Sequence, residues 1–123
     1  MDNPNTEKLV IGWLGSLSEV DENWPVSGDK PKSLPDQFIL VDRTGGPREA
    51  MVLDRAEILI EVYCKDSRVT ASDMANYIAD QIPTLPAYAE SITGATVNSV
   101  VNLDDIIAQY SRYQVYIDVN NRR

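Results

Sequence analysis

From Arg55 to Tyr63 the chain reads RAEILIEVY, and this alternation constrains the fold more than any other feature. Ala56, Ile58, Ile60 and Val62 point one way in an extended backbone. Arg55, Glu57, Leu59, Glu61 and Tyr63 point the other. Such a strand packs one face on a core and leaves the other to solvent or a partner. The spacing predicts a strand over 55–63. An upstream run, QFILVDR, predicts another over 37–43, and TGGPREAMVLD between them predicts a long hairpin tip over 44–54.

The remaining elements follow from period and punctuation. Leu9, Val10, Trp13, Leu14 and Leu17 form a helical stripe within residues 5–18, capped by Asn5 or Thr6. Gly12 and Gly15 weaken that helix or let it pack closely on a sheet. Residues 19–36 hold Pro25, Pro31, Pro35 and Gly28 and predict an irregular loop. Its one large anchor, Trp24, either folds back on the domain edge or makes a protein contact. Residues 67–82 form a second helix, capped by Ser67, with Pro83 and Pro86 enforcing its stop. A linker, TLPAYAESITG, follows. Residues 95–102 predict a strand, LDDIIAQ a connection, and residues 110–119 a final strand. There Tyr113, Val115, Ile117 and Val119 oppose Arg112, Gln114, Tyr116 and Asp118. The terminal NNRR reads as a frayed basic tail.

The order α-β-β-α-β-β suits an α+β domain over residues 1–123. Its sheet has roughly four antiparallel or mixed strands, with two main helices packed on one face. No stretch approaches the ~18 apolar residues of a membrane span. The first residues lack the pattern of a signal peptide, so synthesis in the cytosol is expected.

Chemistry is sparsely provided for. The chain has no histidine and one cysteine, Cys64. Zinc and redox-metal ligation therefore lack their usual donors. Cys64 has no histidine to activate it and reads as a half-buried inert thiol. Glu19, Asp21 and Glu22, like Asp104 and Asp105, lack the spacing of a calcium loop and read as solvated acids. No nucleophile elbow or phosphate loop occurs. No cofactor, metal or catalytic residue is expected. A net charge of −8 disfavours nucleic acid as a partner. The arginines Arg43, Arg48 and Arg55 gather around the hairpin tip. They suit a carboxylate on another chain, or are paired within their own hairpin.

The segments FILVDRTGGPREAMVLDRAEILIEVYCKD, ASDMANYIADQI and SRYQVYIDV together resemble the tail terminator proteins of long-tailed bacteriophages, the lambda-like group. The carrying motifs are Arg43-Thr44-Gly45-Gly46 at the turn, Leu53-Asp54-Arg55-Ala56 entering the alternating strand, and the aromatic start of the last strand. The resemblance is strongest over residues 34–83 and next over 110–119. It implies a structural virion protein. Such subunits form a hexameric ring on the head-proximal end of the tail tube, in host cytoplasm during assembly and in the virion afterwards. The ring ends tube polymerisation, meets a head–tail connector protein and lets DNA through its lumen. Within this resemblance, Arg43, Gly45, Gly46, Arg48, Arg55, Trp24, Asp104 and Asp105 are candidate contacts to a neighbouring subunit or the tube. Arginines of the tip would meet acids of the 19–36 loop or Asp104–Asp105, and Arg48→Glu should weaken the ring. An acidic lumen would keep DNA from sticking. A head-completion or connector protein on the portal side is the competing neck assignment. An unrelated binding module or enzyme of similar fold is the third.

Overall fold

A computed structural model describes residues 5–45, 53–103 and 109–122. The chain is α+β, with one mixed five-stranded sheet. Helix α1 spans Thr6–Ser16. Strand β1 (Val26–Ser27) precedes β2 (Gln37–Gly45) and β3 (Leu53–Lys65). Helix α2 covers Arg68–Gln81. A 3-10 turn (Ile82–Thr84) and a short helix α3 (Leu85–Tyr88) lead to β4 (Ile92–Leu103) and β5 (Tyr110–Arg122). The sheet order is β1-β2-β3-β5-β4. Among the described strands only β1 runs parallel to its neighbour.

The two long helices start where side chains satisfy their unpaired amides. Asn5 Oδ1 accepts from the Lys8 amide at 3.0 Å, and Ser67 Oγ accepts from the Thr70 amide at 3.2 Å. Both helices lie on one face of the sheet. Val10, Trp13 and Leu14 of α1 and Ala71, Met74, Ala75 and Ile78 of α2 cover Ile39, Val41, Ile58, Ile60, Val115 and Ile117. The inward half of the β3 alternation is realised as read, with Ala56, Ile58, Ile60 and Val62 all buried in this core; on the other face Leu59 and Tyr63 are buried as well, against neighbouring side chains of the same sheet. Trp24 joins the same core, so the anchor of the 19–36 loop folds back on its own subunit. Trp13 caps the layer, its indole Nε1 donating to Thr84 Oγ1 at 3.2 Å.

Several features differ from the sequence reading. The sheet has a fifth strand, because Val26 and Ser27 inside the proline-rich segment pair with Ile39 and Leu40. A strand of two residues has no periodicity to detect. The prolines at 83 and 86 end α2 and also open the next two turns, each standing at a helix start where its missing amide costs nothing. The terminal tail is not frayed: Asn120, Asn121 and Arg122 belong to β5. Asn121 is fully buried and donates to Thr6 Oγ1 at 3.0 Å, tying the last strand to the first helix. Finally, Gly12 approaches no sheet. A methyl group there would meet Tyr88 Oη of α3 at 2.7 Å, whereas Gly15 faces open space.

The hairpin reaches further than expected. Thr44 and Gly45 remain in β2, and β3 already begins at Leu53. Of the predicted 44–54 tip, residues 46–52 lie outside the described residues. A register slip at Thr44 places one extra residue in β2 just before the tip.

Candidate functional site

Register assigns the side of the sheet away from the helices. Phe38, Leu40 and Asp42 of β2 stand beside Tyr63, Glu61 and Leu59 of β3. These in turn stand beside Arg112, Gln114 and Tyr116 of β5. No helix or strand covers this face among the described residues. It is nevertheless ordered by its own contacts. Phe38 and Tyr63 stack with ring centroids 4.6 Å apart and planes 10° from parallel, and Tyr110 tilts against Phe38. The Tyr110 hydroxyl donates to the Pro35 carbonyl at 2.6 Å, closing that end with the segment preceding β2.

Glu61 is the hub of the face. Its Oε2 accepts from Gln114 Nε2 at 3.0 Å, from Arg112 Nη1 at 3.4 Å and from the Tyr63 hydroxyl at 3.4 Å. Gln114 Oε1 accepts from the Tyr116 hydroxyl at 2.7 Å. The Glu61 and Arg112 side chains are 17% and 15% exposed, so the pair is more than a solvated surface contact. Burial first, then the Glu61 charge, pushes the Tyr63 phenol above its ordinary range, with Arg112 opposing. The phenol stays protonated and donating at neutral pH.

Acidic side chains gather along two hollows at one end of the sheet. Near Gln37, Glu19, Asp21 and Asp73 line a trough of about 450 Å³ walled by Trp24 and Tyr77. A neighbouring hollow of about 490 Å³ adds Glu22 and Asp36, and the two share Asn23 and Gln37. Among the described residues no arginine or lysine lines either. Cys64 lies under this end, buried, its thiol pushed up by burial and then by the Asp36 and Asp66 charges. It is more deeply buried than the half-buried thiol expected from the sequence.

Arg43 and Arg55 occupy the opposite end of the β2–β3 ladder. From Gln37 to Arg43 the strand covers about 20 Å at ~3.3 Å per residue. Arg43 braces its own hairpin, Nε donating to the Gly45 carbonyl at 3.2 Å and Nη2 to the Arg55 carbonyl at 3.3 Å. Its amide donates to Glu7 Oε1 at 2.9 Å, fastening β2 to α1. Gly45 sits across from Glu57, and a methyl group there would meet Glu57 Oε2 at 2.5 Å. Arg55 is exposed and borders a hollow of about 350 Å³ with Glu57, Thr96, Asp118 and Asn120. The structure thus brings Arg43, Gly45 and Arg55 together and sets Trp24 apart in the core. Gly46, Arg48, Asp104 and Asp105 lie outside the described residues.

The Glu61–Gln114–Tyr116 network was the feature that sequence reasoning missed. The alternation put each residue on an outward face, but their meeting depends on the β3–β5 register. Among the described residues no cluster of three or more histidine, cysteine or acidic side chains is arranged to hold a metal ion. No helix among them is long and apolar enough to cross a membrane. No protein-family model and no curated protein matches the chain.

Proposed function

We propose that this chain is a ring-forming structural subunit, the tail terminator of a long-tailed bacteriophage. It would close the head-proximal end of the tail tube and offer the opposite surface to a head–tail connector protein. The observation that carries the reading is the separation of the acidic trough (Glu19, Asp21, Asp36, Asp73) from Arg55 at opposite ends of the sheet. A ring closes through heterologous contacts, in which one patch fits a different patch on the next subunit. Arg55 lies at the end of the β2–β3 ladder away from Gln37 and the trough, out of reach of the trough acids of its own subunit. Arg55 and those acids can pair between successive subunits. The uncovered sheet face supports the same reading, because its stacked and bonded side chains form a firm surface without a covering layer. Catalysis and a cofactor play no part, and DNA passes without specific contacts.

The test is mass by light scattering over a concentration series, with and without purified tail tubes. A six-fold mass, free or only on tubes, is the expected result. A monomer that ignores tubes at every concentration overturns the proposal. Binding to a head-side connector without tubes would favour the portal-side neck assignment instead.

A further inference from the structure

The two hollows near Gln37 adjoin, and their linings suit different parts of one ligand. The first sets Glu19, Asp21 and Asp73 beside the rings of Trp24 and Tyr77. The second sets Glu22 and Asp36 beside the rings of Pro25 and Pro35. Asn23 and Gln37 line both, so two side-chain amides stand at the shared boundary. Much of their bonding capacity is unspent. Gln37 Oε1 takes the Cys64 thiol at 3.9 Å, and neither Gln37 Nε2 nor the Asn23 side-chain amide bonds anything among the described residues. Trp24 adds a donor. Trp13 gives its indole hydrogen to Thr84 Oγ1 at 3.2 Å. Trp24 is only 7% exposed, yet its indole Nε1 has no acceptor among the described residues. That nitrogen is not fully enclosed, and of the three hollows described Trp24 borders the first alone. A nearly buried donor open to an acidic hollow calls for an acceptor that the chain does not supply.

We propose that the two hollows together bind an extended basic peptide segment of another protein, with one arginine in each hollow and the main chain between them held by Asn23 and Gln37. Cations account for the acids, but an isolated cation has no use for an indole donor or for side-chain amides. A peptide uses all three. Its guanidinium groups pair with carboxylates and stack on rings. Its carbonyls and amides bond the Trp24 indole and the two side-chain amides. Alternate side chains of an extended chain leave on the same side about 6.6 Å apart, which suits hollows that share a wall. A net charge of −8 draws a basic partner in and turns a second acidic copy away. The ring reading seats a neighbour's Arg55 in the first hollow, and the proposal rests on that reading no further. A single arginine leaves the second hollow and both amides unused.

The experiment uses the full chain without tail tubes. The probe is a fluorescently labelled pentapeptide, capped at both ends, with arginine at its second and fourth positions and glycine elsewhere. Anisotropy should show saturable binding at low salt that weakens as salt rises. A peptide with one arginine should bind several-fold more weakly. Asp73→Asn should lower affinity several-fold. Asp80→Asn, which removes an exposed acid of the same helix outside both hollows, should not. Asn23→Ala and Gln37→Leu leave the charge unchanged and should each lower affinity several-fold. Thermal melting confirms that the variants fold, and the exposed Asn23 keeps the amide test valid if Gln37→Leu does not. Equal losses in Asp73→Asn and Asp80→Asn overturn the proposal, because they mark general attraction between an acidic protein and a basic peptide. So does unchanged affinity in Asn23→Ala. So does spermidine that displaces the probe as well as unlabelled peptide does, since a polyamine has no carbonyl. A six-fold mass on tubes with no peptide binding leaves the ring standing and removes this site. Peptide binding by a chain that stays monomeric on tubes does the reverse.

Discussion

Glu61 and Gln114 are register partners across the β3–β5 ladder, and their side chains bond at 3.0 Å on the sheet face away from α1 and α2. Removing the carboxylate by Glu61→Ala leaves Arg112, Gln114 and Tyr63 without a shared acceptor. Stability should fall by about 1–3 kcal/mol. Urea unfolding measures it, and a loss within error of zero would show that water replaces the carboxylate at no cost.

Trp24 lies in the core, 7% exposed. Trp24→Ala should cost about 3 kcal/mol or more. Trp24→Phe should keep most of that stability and leave the mass in solution unchanged. A Phe variant that folds normally but no longer associates would make Trp24 a contact residue after all.

The glycines of α1 should behave differently. Gly15→Ala meets nothing within 4 Å and should stabilise by about 0.5–1 kcal/mol through helix propensity. Gly12→Ala must displace the Tyr88 hydroxyl and should gain less. Thermal denaturation of both variants ranks them, and an equal gain would mean that Tyr88 yields freely.

Tyr63 links stability to alkaline pH. Its phenol is held above the ordinary range by burial and by Glu61. The unfolded chain therefore releases that proton first. The contribution is fully present below the ordinary phenol value of about 10 and is lost as pH rises from there through the folded value. Urea midpoints measured across this range should fall more steeply for the native chain than for Tyr63→Phe. Parallel slopes would remove Tyr63 as the cause.

Arg55 tests assembly. If it meets the acidic trough of a neighbour, Arg55→Glu should weaken any ring, most visibly at low salt, with little change in melting temperature. An unchanged six-fold mass would exclude Arg55 from the contact.

Strong periodicity was legible and weak or long-range signals were not. The β3 alternation, the two caps at Asn5 and Ser67 and the one-sided helical layer were all readable from local spacing. The two-residue β1 carries no pattern. The buried Asn121 looked like tail composition, because its partner Thr6 lies at the other end of the chain. Arg43 and Arg55 were recognisable as neighbours of a turn. That Arg43 spends its guanidinium on the Gly45 and Arg55 carbonyls depends on the slip at Thr44, which propensity does not encode.

The place of β5 has a consequence for synthesis. Strand β5, the most C-terminal of the sheet, lies between β3 and β4 and joins them. Until residues 110–122 have left the ribosome, β4 has no partner and one side of β3 is open. The nascent chain can hold a β2–β3 hairpin and the beginnings of two helices, but it cannot close its sheet. Closure of the sheet therefore waits for β5, and exposed strand edges are the hazard of the interval before it.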